Sequence, residues 1–531
     1  MSSHAKLSRF ESLQRIWIQE PEQRTRFIAL GVISLCFIKY ICTIVYRLYF
    51  SPLAPFPGPK LAAATSLYEF YFDYFKKAKY YAEIERLHKV YGPIVRINPL
   101  ELSISDPAFY DKVYVAGNVR PTENYSHFAS GIGFEGTFFL STAHDLHRKR
   151  RKPFEPYFSR LGVTKLEPII NEFVKKLIKR FDSFKGTGRV VRLDHAMLAY
   201  SGDVIGHICV DNPKELIEDE NFTPEWYDLQ HSMIKCMPLF TEFPWIIHII
   251  KWIPSQILVW IDPKSECFNV WRASAKKHIE QVKSDKHRMP EEGTSNLGGR
   301  PTLFRYIVNN SGLAESDLSV DRLTKEAQIL LGAGSVSTAR TIHYIVFYLL
   351  SNEHMRKRLE EELKDAMAEW PEKKLTWAQL EKVLYLQALI KEGLRHSYGT
   401  MHRLPRVSPS AAFQYKEWTI PAGVPVGMTA YLQHTDPEVY PRPFEFIPER
   451  WLSNVTPQMT RSLVPFSRGS RNCIGMNLAY AEVNFMLAAL FRPGGSGFEL
   501  FETDESDVVA AHDYIVPLAR LDSKGVRIIF R

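Results

Sequence analysis

Cys473 stands in the stretch Phe466-Ser-Arg-Gly-Ser-Arg-Asn-Cys-Ile-Gly475 with no second cysteine and no histidine close by. Zinc sites need three or four side-chain ligands at recognisable spacings, and iron–sulfur clusters need several cysteines, so a lone thiol fits neither. A metal that brings four ligands of its own, as haem does, asks the protein for one axial residue. Gly469 and Gly475 permit a tight loop with its backbone against a flat cofactor. The helical pattern after Cys473 puts the sulfur at a helix N-terminus, where dipole and loop amides favour the thiolate. Arg471 is placed to reach a carboxylate such as a haem propionate. For Cys473 taken alone, a buried structural cysteine in a glycine-containing loop is the simpler reading.

Four other stretches carry chemistry. In QILLGAGSVSTARTIHYIV the trio Gly332-Ala333-Gly334 weakens a helix by about 1 kcal/mol per glycine relative to alanine, so something approaches the backbone closely there. Ser337 or Thr338 can bond back to the carbonyl four residues earlier and open a groove. Core packing accounts for the glycines as well. Glu392-Gly-Leu-Arg395 puts an acid and an arginine on one helix face, and Pro448-Glu-Arg450-Trp451 adds another arginine. Either alone reads as a surface ion pair. His147-Arg-Lys-Arg-Arg151 is a basic helix turn whose default is a solvated face, and Arg403-Leu-Pro-Arg406 follows the Glu392 helix.

Long helical patterns must position these groups. EHMRKRLEEELKDAM, TWAQLEKVLYLQALIKEGLRHS and KEAQILLGAGSVSTARTIHYIVFYLL carry apolar residues at three- and four-residue spacing. Strands are few: IVRINPLELSIS reads as two alternating strands around Asn98-Pro99, and EWTIPAGVPVG holds a turn. The fold class is mainly α with a small β-rich side. Residues 1–26 form an N-terminal tail, 27–46 a transmembrane helix with one charge, Lys39, 47–60 a proline-rich hinge, and 61–531 one large domain. Pro238 to Ile261 is apolar but holds Glu242, His248, Lys251 and three prolines, which suits a substrate roof or a membrane-surface contact better than a second span. A charge of +8 over 531 residues is too dilute for a nucleic-acid binder, and six cysteines without paired spacing indicate a reducing compartment.

Phe466-x-x-Gly469-x-Arg471-x-Cys473-x-Gly475 resembles the haem-binding signature of the cytochrome P-450 superfamily, the haem-thiolate monooxygenases. Three further motifs fall in the family's order. Glu392-x-x-Arg395 looks like its Glu-x-x-Arg, and Arg450 like the arginine that completes that buried ion network. His147 to Arg151 is similar to the Trp-Arg-x-x-Arg helix with His147 in the tryptophan position, which implies that Arg151, then Arg148, contacts a propionate. Arg406 matches the strand arginine of the same purpose. Laid on the family's oxygen-binding groove, Ala333 and Gly334 match, Val336 replaces an acid, and Ser337 replaces a threonine beside Thr338.

The resemblance implies haem b with Cys473 as iron ligand, favouring dioxygen cleavage. It implies an endoplasmic-reticulum membrane protein, single-pass, with a cytosolic catalytic domain. Its partners would be an NADPH-cytochrome reductase, O2, membrane lipid and an apolar small molecule, since the chain has no dinucleotide fingerprint. Overall it looks like filamentous-fungal, trichodiene-oxygenase-like enzymes of terpenoid or polyketide secondary metabolism. Val336 cannot relay a proton, which keeps a haem-thiolate isomerase or dehydratase that does not use O2 as an alternative. A non-catalytic haem-binding membrane protein is a second.

Overall fold

The computed structural model describes residues 21–130, 133–250, 252–261, 265–285 and 300–531. Most of the tail at 1–26, together with Gly131, Ile132 and Lys251, lies outside the described residues. The apolar run forms α1 (Pro21–Val45), prolonged by a wide turn, Tyr46–Phe50. Thr25–Phe50 is long and apolar enough to cross a bilayer, with mean hydropathy 2.3, and the body covers none of it. The proline-rich segment behind it is not a free strut. Leu53 and Phe56 are buried, Phe56 stacks on Trp418 at 5.0 Å, and the Pro57 carbonyl accepts the Arg96 amide at 2.7 Å. Arg96 also donates to the Arg47 carbonyl at 2.8 Å, so the exit of the apolar helix is tied to the body.

The helices that frame the site are α2 (His144–Arg151), α3 (Arg160–Asp182), α4 (Leu193–Cys209), α5 (Pro224–Glu242), α6 (Trp245–Ile250), α7 (Ser255–Ile261), α8 (Ser265–Ser284), α9 (Val320–Ser351), α10 (Glu353–Met367), α11 (Leu384–Ser397) and α12 (Met476–Leu490). α9 is the axle, packed on α4, α8, α10, α11 and α12. Its small residues let neighbours close in. A Cβ at Gly334 would sit 2.9 Å from Ile205 of α4, and α11 presses Gly393 onto Ile345. α10 begins where Asn352 accepts the Met355 amide, and its bounds match the sequence pattern. The pattern at 376–397 is not one helix. A capping box of Thr376 and Gln379 starts a short turn, Trp377–Leu380, and Val383 is extended before α11. Trp377 and Leu380 are drawn onto α12 while α11 packs on α9, and a straight helix would not satisfy both.

The side sheet has strands β1 (Ile94–Arg96), β2 (Leu102–Ile104), β3 (Glu123–Asn124), β4 (Arg406–Val407) and β5 (Pro425–Gly427), in the order β1-β2-β5-β4-β3. β1 and β2 are buried throughout rather than on alternate residues, because both faces are covered: Ile94, Leu102 and Ile104 join one apolar cluster and Val95 joins another with Tyr80, Ile84 and Leu87. Register sets Arg406 opposite Asn124 and Val426. A separate hairpin, β6 (His512–Tyr514) with β7 (Val516–Leu518), reaches back over the sheet side.

A buried ion network fixes α11 to the loop that carries Cys473. Glu392 pairs with Arg395 through 3.0 and 2.8 Å contacts and with Arg450 at 3.0 Å, and accepts the Trp451 indole at 2.8 Å and the Ile447 amide at 2.9 Å. Burial opposes ionisation of Glu392, but His396 and Arg395 outweigh it and hold the carboxyl well below the usual carboxylate range. Arg395 donates to the His434 carbonyl at 2.8 Å. His434 in turn bonds the Arg395 carbonyl through Nδ1 and takes the Val464 amide on Nε2, both at 2.8 Å.

Removing residues 1–45 is expected to leave the unfolding midpoint of the body within about 0.5 kcal/mol of the full chain. Extending the deletion through Phe56 should cost about 3 kcal/mol or more, because Leu53 and Phe56 then leave their cluster. Denaturant titration in detergent distinguishes the two, and equal stability of both truncations would contradict the docked hinge. Glu392→Gln leaves two buried guanidinium groups without their carboxylate and should cost about 3–5 kcal/mol at neutral pH. Because the folded carboxyl is depressed, its stabilisation is complete above about pH 4.3 and fades below it. The gap between wild type and variant should therefore narrow in acid, and a gap independent of pH would show that the carboxylate charge is not what matters.

Candidate active site

The Cys473 loop is shaped by close backbone approach. Gly469 has φ +74°, and a Cβ there would lie 2.4 Å from the Val115 carbonyl oxygen, so only glycine fits. The partner of that glycine is therefore the 114–115 backbone rather than a cofactor face. Gly475 has ordinary backbone angles and stands 3.9 Å from Sγ of Cys473 at the position a Cβ would take. The Cys473 amide closes the loop on the Phe466 carbonyl at 2.9 Å, and the Phe466 ring packs on Tyr480 at 5.3 Å. α12 begins three residues after the sulfur.

Sγ keeps open surface, but that surface faces the interior of the fold, and burial raises the thiol above its ordinary value despite the Gly475 amide and the Arg151 charge. A bound cation would reverse the balance. Arg151 is committed: Nη1 and Nη2 donate to the carbonyl and side-chain oxygens of Asn472 at 2.6 and 2.9 Å, and Nε meets Glu155 at 3.3 Å. It thus clamps the residue next to Cys473 and is paired with Glu155 within its own helix region. Arg148 is exposed with no ion pair among the described residues, whereas Lys149 and Arg150 both pair with Asp317.

Arg471 and Arg406 form a cationic wall beside a neutral His147. Arg471 donates to the Ser141 and Thr142 carbonyls at 2.7 Å, and burial followed by the Arg406 charge pushes it down to about 9. Arg406, buried over Tyr114 at 5.4 Å, reaches the Leu404 and Pro405 carbonyls at 3.3 Å, and burial lowers it too. His147 is driven down to about 2 by burial and by Arg471, Arg151 and Arg406. Among the described residues neither Arg471 nor Arg406 has a carboxylate within ion-pair distance. Buried cations without counter-ions are the donor set that an anionic cofactor edge would complete.

On α9 the sequence-named residues divide between two faces. Ala333 and Ser337, one turn apart, keep open surface in the middle of a packed helix, and the Ser337 hydroxyl donates to the Ala333 carbonyl at 3.2 Å. Gly334 and Thr338 point the other way, with Gly334 against Ile205 and Thr338 buried. Thr341, not Thr338, continues the back-bonding, to the Ser337 carbonyl at 3.1 Å. Val336 packs into the main core and offers no proton route.

Six separate segments bring apolar groups to this side of α9: Tyr125, Phe128 and Phe134, Met233 of α5, Phe268 and Trp271 of α8, Ile329 of α9, Leu404, and Ile515 between β6 and β7. Farther out the lining turns polar. A cavity there is bordered by Glu69, Asp73, Glu101, Glu242, Asp513, His402 and Arg403. Arg403 is held between Glu69 and Glu101, at 2.8 Å from the latter, while burial and the Glu69 charge push Asp73 up to about 8. Sequence reasoning missed His434, Asn472 and this acidic mouth, and it named Trp451 without the indole bond to Glu392. Asn472 alone carried a signal, its adjacency to Cys473. The roof is also not a span: α6 and α7 are short, and Trp245, Trp252 and Trp260 stand exposed.

These residues fit a flat, anionic, iron-bearing ring, with an open sulfur on one side, the open Ala333 and Ser337 face on α9, and the cationic wall supplying partners for its acid groups. Comparison with known proteins agrees. The family described as Cytochrome P450 matches residues 60–495. A "Cytochrome P450 monooxygenase oblB" of Aspergillus clavatus is 55% identical over 506 residues, covering 95% of this chain and 97% of that one. A "Fusicoccadiene C-8 hydroxylase" of Phomopsis amygdali is 47% identical over 510 residues, at 95% and 97% coverage. A "Stellatic acid synthase" of Emericella variicolor is 41% identical over 521 residues, at 94% of each. With the family match over most of the chain and relatives named monooxygenase, hydroxylase and synthase matching almost end to end, the chain belongs to the cytochrome P450 family.

Proposed function

We propose that this P450 monooxygenase inserts one oxygen atom from O2 into an apolar terpenoid, using electrons that originate on NADPH and arrive through a separate reductase. The observation that carries the substrate class is the apolar cluster converging on α9 beside Ala333, in a chain similar over most of its length to a hydroxylase named for a diene hydrocarbon. Haem b, bound through Cys473 with Arg471, Arg406 and His147 at its acid groups, would supply the oxygen-activating redox chemistry. Around it the chain's own residues orient and protonate. Arg151 holds Asn472 and with it the sulfur. The aromatic groups at 125–134 and Met233 exclude water and seat the hydrocarbon.

Proton delivery falls to Ser337. Its hydroxyl donates to the Ala333 carbonyl while its lone pairs remain free to accept from water on the open face. Arg148 gives an exposed, unpaired cation on the side of the Cys473 loop, where an acidic reductase would dock. α1, together with the exposed tryptophans around α6 and α7, supports attachment to the endoplasmic-reticulum membrane with the body in the cytosol.

The test is reconstitution of the full chain with haem, NADPH-cytochrome reductase and a polycyclic terpene under labelled dioxygen. One labelled oxygen per product is expected. A rearranged, unlabelled product would favour the isomerase reading, and absence of turnover across terpenes would remove the substrate class. In the same assay Ser337→Ala should divert NADPH into hydrogen peroxide and lower product formation, by up to about 10²-fold for one positioned proton donor. Unchanged coupling in Ser337→Ala would assign proton delivery to another route.

A further inference from the structure

Beside the apolar cluster, the contact between α5 and α9 holds polar groups that the reading above does not use. Gln230 of α5 is 6% exposed, and its Oε1 lies 2.9 Å from where a Cβ on Gly332 would be. The missing side chain at 332 is what makes room for the amide. Nε2 of Gln230 has no hydrogen-bond partner among the described residues. Gln328, one turn before Gly332 on α9 and 2% exposed, has an unpartnered Nε2 as well. The indole nitrogens of Trp226, one turn before Gln230, and of Trp271 of α8 are also unpartnered, and the two rings meet edge-on at 5.3 Å.

Buried polar groups are almost always paired, so several in one place call for an explanation. These four share a chemical sign. Each is an N–H donor, and an indole N–H can only donate. Gln230, Gln328 and Trp271 stand beside the apolar cluster, whereas the Trp226 nitrogen is turned toward Gly202 of α4 in the main core. Met233 lies three residues after Gln230 on α5, Ile329 three before Gly332 on α9, and both belong to the apolar cluster, as does Trp271. Ala333, with its open surface, is next to Gly332.

We infer that Gln230, seated against Gly332 and supported by Gln328 and Trp271, is a donor subsite for an oxygen atom already present on the substrate. The inference rests on the terpenoid reading and narrows it. The substrate is a terpenoid alcohol or ketone rather than a bare hydrocarbon, so an earlier step must have installed that oxygen, and this enzyme adds the next. An apolar pocket discriminates weakly between a hydrocarbon and its alcohol, whereas a site built of unpaired donors favours the oxygenated ligand.

The test is ligand binding by the haem-loaded full chain, measured by calorimetry without turnover, with fusicoccadiene and its C-8 alcohol as probes. Wild type should bind the alcohol about tenfold more tightly or better. Gln230→Met, which keeps the volume and removes the amide, should bring the two affinities within about twofold by weakening the alcohol alone. Gly332→Ala, which drives a methyl at the Gln230 amide in a helix that tolerates alanine, should shift the preference the same way and serves if Gln230→Met does not fold. Equal affinities in wild type, or a preference that survives both variants, would overturn the donor subsite while leaving a terpenoid enzyme. Failure of both probes to bind wild type at all would overturn the terpenoid reading and this inference together.

Discussion

One buried carboxylate organises the proximal half of the molecule. Glu392 has almost no exposed surface, and an unpaired charge there would be untenable, so Arg395, Arg450, Trp451 and the Ile447 amide must all converge on it. Those partners come from α11 and from the turn at 448–451. Arg395 then reaches the His434 carbonyl, and His434 takes the Val464 amide, two residues before Phe466. Phe466 closes the Cys473 loop. The position of a thiol 81 residues away is thus fixed through hydrogen bonds and one short stretch of backbone, whose origin is the cost of burying one negative charge.

The charge balance reverses across the site. Around Glu392 anion and cations compensate within the chain. Around Arg471 and Arg406 cations gather with no carboxylate at ion-pair distance among the described residues and donate to backbone carbonyl oxygens, while His147 is kept neutral by burial and by its cationic neighbours. The first arrangement is complete in itself and serves rigidity. The second is complete only with an anionic ligand. On α9 the same division separates Gly334 and Thr338, absorbed in packing, from Ala333 and Ser337, left open for chemistry.

Features set by short-range patterns were legible in the sequence. α10 follows its periodicity and cap, β1 and β2 flank Asn98-Pro99, and the pairing of Glu392 with Arg395 is a one-turn relation. What could not be read depends on partners far along the chain. Gly469 is required by the Val115 carbonyl, Arg151 is diverted to Asn472, Gly332 yields to Gln230, and the hinge docks through Phe56 on Trp418 and the Pro57 carbonyl on Arg96. The pattern at 376–397 broke because Trp377 and α11 pack on different neighbours, a tertiary demand that helix propensity does not encode.

The central claim is that Cys473 is the one protein ligand to the haem iron. The most direct measurement is the carbon monoxide spectrum of the reduced, haem-loaded protein, compared with Cys473→Ala shown to be folded by circular dichroism. The account predicts a Soret band red-shifted in the manner of thiolate ligation in the wild type and its disappearance in the variant. Persistence of that band in Cys473→Ala would contradict it.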